Sequence, residues 1–218
     1  LLDIDQTLAG GIITAHLKSY NRKLHLEMSQ KQIAEAETKY KKTFDVPQII
    51  KYRRQSPEAE TMFQEARNQI RTSNQVHMDF SPWPNAVNGL NLFLCHDFKF
   101  GGYYSVRPAE VYSATKQWLK QHNFPSPEKL TICQDPQDKL KQILKDWRLF
   151  TGQIFLIDDG SEELFELIKT IPKFNQLKNK LTLINFGVNQ SDKLLSLPYW
   201  ELESVMNLLN HQNNADDR

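Results

Sequence analysis

Asp3 and Asp5 stand two residues apart directly after Leu1-Leu2, and Thr7 completes the alternation Asp3-Ile4-Asp5-Gln6-Thr7. Residues i and i+2 of an extended chain point to the same side, so the two carboxylates repel unless a cation lies between them or the chain turns after Asp3. A second acidic pair, Asp158-Asp159, ends the apolar run Ile154-Phe155-Leu156-Ile157. One of these acids could cap the following helix, but Ser161 is available for that, so a cation-holding role is favoured. Ser105 closes a glycine- and aromatic-rich run over 98–105 and, taken alone, reads as an N-cap serine. Lys139 follows Asp135, Pro136, Gln137 and Asp138, which places it in the first turn of a helix, where the macrodipole disfavours a cation. Such a broken local rule is a mark of function. The competing reading is a solvated lysine beside Lys141 and Lys145, and Lys145 is a weaker rival for the functional role; because a cation there opposes the dipole, loss of Lys139 is expected to leave the fold unchanged or slightly more stable.

These residues need elements to hold them. Asp3, Ser105 and Asp158 each stand where an apolar strand-like run gives way to a polar turn, so all three fall on one edge of a sheet. Strand patterns at 98–105, 130–133, 153–157 and 181–186 alternate with helical patterns, which implies βα units and a parallel sheet covered on both faces. Ligands in such sheets bind at the carboxyl ends of strands, where strand order reverses. Helices are expected over 85–95 and from 107, from the Asp135-Pro136 start, and from a Ser161 cap with Leu164, Phe165, Ile168 and Ile171 inward; a last one is expected over 199–209 before a polar tail at 211–218. Only Leu1 and Leu2 precede Asp3, so the first strand is expected to begin before the present chain.

Between these patterns, residues 12–73 show no strand alternation. Three helical segments are legible: Ile13, Leu17 and Leu24 mark one face of the first; a Ser29/Gln32 capping box opens the second, with Ile33, Ala36, Tyr40 and Phe44 inward; Ser56-Pro57 opens the third, with Met62, Phe63, Ala66 and Ile70 inward. Gly10-Gly11 at one junction is a hinge candidate, and the proline-containing stretch 81–84 ends the segment at the other.

The 218 residues carry 27 basic and 26 acidic side chains, net +1, so no global field draws the chain to nucleic acid or an anionic membrane. No apolar run is long enough to cross a bilayer. Cys95 and Cys133 lie in apolar runs and read as reduced, buried thiols in a cytoplasmic setting. The six histidines show no metal spacing and read as surface or core residues. Lys41-Lys42 and the run 51–54 could meet a polyanion, but a solvated helix face is the favoured reading, and nucleic acid is not the favoured partner.

The order of these motifs resembles that of the haloacid dehalogenase (HAD) superfamily, mostly magnesium-dependent phosphohydrolases, over residues 1–10 and about 85–187. Asp3-x-Asp5-x-Thr7 is similar to its first motif, Ser105 to the second, Lys139 to the third, and Asp158-Asp159 to a double-acid fourth. The resemblance implies an α/β, Rossmann-like parallel-sheet core (1–10 and 82–218) with an inserted α-helical cap (11–81). It also implies an aspartyl-phosphate intermediate on Asp3, general acid and base work by Asp5, and phosphoryl contacts from Ser105 and Lys139. Substrate contacts would come from Thr7 and Arg107, and Mg2+ would be held by Asp3, Asp5, Asp158 and Asp159. The partner would be a phosphorylated small molecule or other phosphomonoester. The chain departs from the family pattern in its clipped first strand and in lacking a further acid after Asp159. Two competing readings are a phosphatase domain of a nucleic-acid-processing protein and a non-catalytic HAD-fold binding module.

Overall fold

The computed structural model describes residues 1–40, 42–95, 98–150 and 152–185. The helix and tail expected beyond 198, the end of the 181–186 strand, Lys41, His96 and His211 lie outside the described residues. After an extended stretch at 1–4, β1 (Ala9–Gly10) leads to helices α1 (Ile12–Leu24), α2 (Gln30–Lys39), α3 (Pro47–Arg53), α4 (Pro57–Arg71) and α5 (Asn74–Met78). β2 (Ser81–Pro82) and α6 (Ala86–Cys95) follow, then β3 (Tyr103–Val106), α7 (Tyr112–Gln121), β4 (Leu130–Cys133), α8 (Pro136–Asp146), β5 (Ile154–Asp158), α9 (Ser161–Thr170) and β6 (Leu181–Asn185).

β3 runs parallel to β4, and β5 parallel to β6. Leu2 joins the two pairs, bridging in parallel to both Tyr103 and Ile157. The Tyr104 N–H donates to the Leu2 carbonyl at 2.8 Å, and the Asp3 N–H donates to the Ile157 carbonyl at 2.9 Å. The spatial order is therefore β4, β3, the first stretch, β5, β6. The chain crosses first to one side of residues 1–3 and later to the other. Strand order thus reverses at Asp3, the position where a parallel sheet opens a crevice at its carboxyl edge.

Alternate strand residues face opposite layers. Tyr103, Leu130 and Ile157 join one apolar cluster that also contains Leu17, Phe63, Ile70 and Trp118. Tyr104, Cys133, Ile154 and Leu156 join a second, with Leu140 and Ile143 of α8 and Leu164 and Ile168 of α9. The helices at 12–78 therefore pack in one continuous cluster with a face of the sheet, partly through α5 on α7.

Both junctions of the helical segment meet in a two-residue antiparallel ribbon, Ala9 opposite Pro82 and Gly10 opposite Ser81. Trp83 clamps it: its backbone N–H donates to the Leu8 carbonyl at 2.9 Å and its indole N–H to the Gln6 carbonyl at 3.1 Å. A β-carbon at Gly10 would lie 3.0 Å from that indole, so a side chain there would press on the ring. Gly11, at φ 71, then turns the chain into α1.

Several local expectations need correction. The second helix ends at Lys39, leaving Tyr40 as its C-cap and Phe44 in a 3-10 turn. Two short helices, α3 and α5, have starts that the sequence does carry, Pro47 at the first position and Ser73 as N-cap. Met62 and Phe165 sit half exposed, because their helices bury Phe63 and Ala66, and Leu164 and Ile168, instead. The strand expected over 98–105 is confined to Tyr103–Val106, and the helix expected from Arg107 becomes regular only at Tyr112. Cys95 is exposed, at the open end of its helix, while Cys133 is buried. Ser161 does not cap α9; its hydroxyl donates to the carbonyls of Asp158 (2.7 Å) and Ile184 (3.1 Å), fixing the β5 end to β6.

Candidate active site

Asp3 and Asp5 each have a cation, and not the same one. The Lys139 ammonium donates to Asp3 Oδ1 at 2.7 Å and to Asp158 Oδ2 at 2.6 Å, with all three side chains nearly excluded from water. The Asp135 side chain caps α8 through the Asp138 N–H, so the first turn is satisfied, and its cation points away from the helix into two carboxylates. Lys139 is thus a buried bridge rather than a solvated lysine. Its charge is strongly favoured, since Asp3 and Asp158 push its pKa above the usual lysine value despite burial that acts the other way. Removal is therefore expected to cost stability, against the sequence reading.

Burial pushes Asp3 up to about 7; Lys139 opposes this, while Asp158 and Asp5 add to it. Asp158 is held from its other side, where Oδ1 accepts the Gly160 N–H at 2.8 Å. A β-carbon at residue 160 would lie 3.2 Å from that oxygen, so glycine leaves room for the turn. Asp159 completes the group: one carboxylate oxygen from each of Asp3, Asp158 and Asp159 lies within 4.8 Å of the others. Its outer edge reaches solvent, yet desolvation in the cleft, then the Asp3 and Asp158 charges, hold its pKa well above the usual value.

Thr7 is fully buried and does not line the cleft; its hydroxyl accepts the Asp159 N–H at 3.2 Å and ties the first motif to the fourth. Arg107, expected at the substrate, is likewise turned inward. Its Nε donates to Asp5 Oδ2 at 3.0 Å, Nη2 pairs closely with Asp5 Oδ1, and Nη1 donates to Thr115 Oγ1 at 2.8 Å. Its face lies over the Phe80 ring. Burial would raise the Asp5 pKa, but Arg107 outweighs it and holds the carboxyl below its usual range. Ser105 lies within β3, fully buried, and is not a helix cap. Its Oγ has no hydrogen-bond partner among the described residues.

Asp3, Asp5, Ser105, Lys139, Asp158 and Asp159 thus line one cleft of about 400 Å³ at the carboxyl edge of the sheet. The other wall comes from the helical segment, through Glu37, Tyr40 and Lys42. Sequence periodicity gave no sign of Glu37. Gln6 also lines the cleft, with φ 59, a left-handed backbone rare for its residue type and typical of strained functional turns. His16 and His77 pack against Phe80, the ring on which Arg107 lies, with ring centroids 5.9 and 5.1 Å from it. Burial lowers both histidines, His16 to about 4.

One ammonium bridges two of the three clustered carboxylates, Asp3 and Asp158, so the group is short of positive charge, and all its donors are hard oxygens. This set suits a hard divalent cation better than a soft metal. Among the described residues no helix is long and apolar enough to cross a membrane.

No protein-family model matches the chain, and no curated protein matches it. Among solved structures it is similar to one described as a haloacid dehalogenase-like hydrolase from Bacteroides fragilis, at 15% identity and TM-score 0.48 over 88% of each chain. At that identity and TM-score the likeness decides neither family nor activity.

Proposed function

We propose that this protein is a magnesium-dependent phosphohydrolase of the HAD type, acting on a phosphomonoester through an aspartyl-phosphate on Asp3. The observation that carries the reading is Lys139 bridging Asp3 and Asp158 at a sheet switch point, beside the unpaired, buried Ser105 hydroxyl. A phosphoryl group needs a nucleophile, a cation and a neutral donor converging on one volume, and these residues line one cleft.

Asp3 Oδ attacks phosphorus, forming the acyl-phosphate bond as the ester oxygen leaves. Lys139 opposes the burial that pushes the Asp3 carboxyl up to about 7, and so favours the ionised form that attacks. Ser105 donates to a phosphoryl oxygen. Asp5 gives a proton to the departing alkoxide, then takes one from the water that attacks phosphorus and releases Asp3 and phosphate. Arg107 favours the ionised, base form of Asp5, so the acid step is the more demanding one for alkyl leaving groups, while aryl esters with acidic leaving groups need it less. Asp3, Asp158, Asp159 and the Asp5 main-chain carbonyl would hold Mg2+, which when bound supplies charge neutralisation for the phosphoryl oxygens. The helical segment 11–81 acts as the cap over this cleft.

The test is hydrolysis of nitrophenyl phosphate by the purified chain. Turnover is expected with magnesium, to stop on chelation, and to be lost in Asp3→Asn. Undiminished turnover in excess chelator or by Asp3→Asn removes the proposal.

A further inference from the structure

Glu37 brings to the cleft a group that the proposed hydrolysis does not use. Its Oε2 accepts the Thr14 N–H at 2.7 Å. That contact has a local explanation: α1 starts from Gly11, which has no side chain to cap it, and its first turn contains no acid, so Glu37 supplies a cap from the neighbouring helix. Capping occupies one oxygen. The other, Oε1, is buried and has no hydrogen-bond partner among the described residues, while Glu37 lines the cleft beside Tyr40 and Lys42. A charged acceptor shielded from water and left without a donor is costly, and a ligand donor reaching it from the cleft would remove that cost.

We infer that Glu37 Oε1 accepts a hydrogen bond from the leaving group, and that the protein selects phosphomonoesters whose leaving group carries hydroxyls. This rests on the phosphohydrolase reading above. The lining residues choose among donors. An ammonium would suit Glu37 but meets Lys42 on the same wall; a second anionic group would suit Lys42 but meets Glu37, Asp5, Glu162 and Glu163. A hydroxyl donates to Glu37 and can accept from Lys42 or the Tyr40 phenol, so it satisfies both where neither ion does. The substrate class is a polyol or sugar phosphate, its phosphoryl end at Lys139 and its hydroxyls at the wall of Glu37, Tyr40 and Lys42.

The test compares glycerol phosphate with propyl phosphate, which differ by the hydroxyls alone, with nitrophenyl phosphate as the general ester. The wild-type chain is expected to prefer glycerol phosphate by roughly tenfold or more in kcat/KM, as sites built to pair a hydroxyl do. Glu37→Gln keeps an oxygen for the Thr14 N–H and replaces the free acceptor by a donor. It is expected to bring the ratio toward one, the loss falling on glycerol phosphate. Glu35→Gln, at an exposed pair with Lys31 on the same helix, is the control and should keep the wild-type ratio. Equal use of both esters by the wild type, or a ratio that Glu37→Gln preserves, overturns the inference. Equal loss on both esters with a lowered Tm shows Glu37 to be only a helix cap, and overturns it as well. If nitrophenyl phosphate is hydrolysed in these cases, the phosphohydrolase reading survives; if no ester is hydrolysed, that reading fails first and the inference with it.

Discussion

The floor and the side wall of the cleft both pair acids with a buried cation, yet they are built for opposite ends. On the floor, a lysine shares its ammonium between Asp3 and Asp158, with Asp159 close by and the Ser105 hydroxyl uncommitted. On the Asp5 side, the wall is backed by an arginine that does not itself line the cleft; it commits both prongs to Asp5, a further N–H to Thr115 and its face to Phe80. A compact point charge on a flexible stem can redirect a donor to an arriving oxyanion, whereas a planar fork held on three sides cannot. The floor can thus take up a ligand's charge, and the wall can only hold a side chain in place.

Removing the floor cation should have the largest effect. Lys139→Met is expected to lower turnover on the order of a hundredfold or more, by losing a preorganised charge at the phosphoryl group. It also leaves Asp3 and Asp158 buried without their partner, so denaturant unfolding should show a loss of about 3–5 kcal/mol. Magnesium should restore part of that stability by standing in for the missing charge. Unchanged stability would mean that the bridge is not formed in solution.

Replacing the wall cation should cost less and act differently. Arg107→Lys keeps the charge but loses the fork, and because Asp5 is partly solvated the expected loss of stability is smaller, about 1–3 kcal/mol. If Arg107 positions Asp5 and does not touch substrate, KM should stay near wild type while kcat falls on the order of tenfold or more. A rise in KM with kcat unchanged would return Arg107 to substrate binding and remove the contrast between floor and wall.

The histidines behind the wall give the smallest effect. His16 is held neutral: its folded pKa, about 4, lies below its usual 6.5, through burial first and then His77 and Arg107 against the pull of Asp5. As pH falls below 6.5 the unfolded chain takes a proton that the folded chain refuses, so stability is lost between 6.5 and 4, by about 2 kcal/mol at pH 5. His16→Gln should flatten that part of the stability–pH curve. A parallel curve would place the acid sensitivity elsewhere.

The floor was largely legible in the sequence and the wall was not, for a physical reason. Asp3, Ser105 and Asp158 stand at or next to the carboxyl ends of their strands, and strands in a parallel sheet share an edge, so local pattern alone brought them together. Lys139 was marked by its awkward helical position, although the stability consequence drawn from that position reversed once its ammonium proved to be bridging two acids. His16 and Glu37 meet their partners across more than twenty residues of chain, through helices whose relative placement no periodicity encodes, while Arg107 follows a strand that neighbours the first stretch, and nothing in local pattern says that it turns to Asp5 and not to a ligand. Ser161 misled because a serine before an apolar helix reads as a cap, while here its hydroxyl serves two strand-end carbonyls.

The central claim is that Asp3 is the nucleophile, and acid-quenched turnover followed by peptide mass mapping tests it directly. In Asp5→Asn, which slows attack by water, brief incubation with nitrophenyl phosphate and magnesium should leave one phosphoryl group on the N-terminal peptide, at Asp3, and none in the absence of magnesium. A phosphoryl group on another residue, or steady hydrolysis with the N-terminal peptide never modified, would contradict the account.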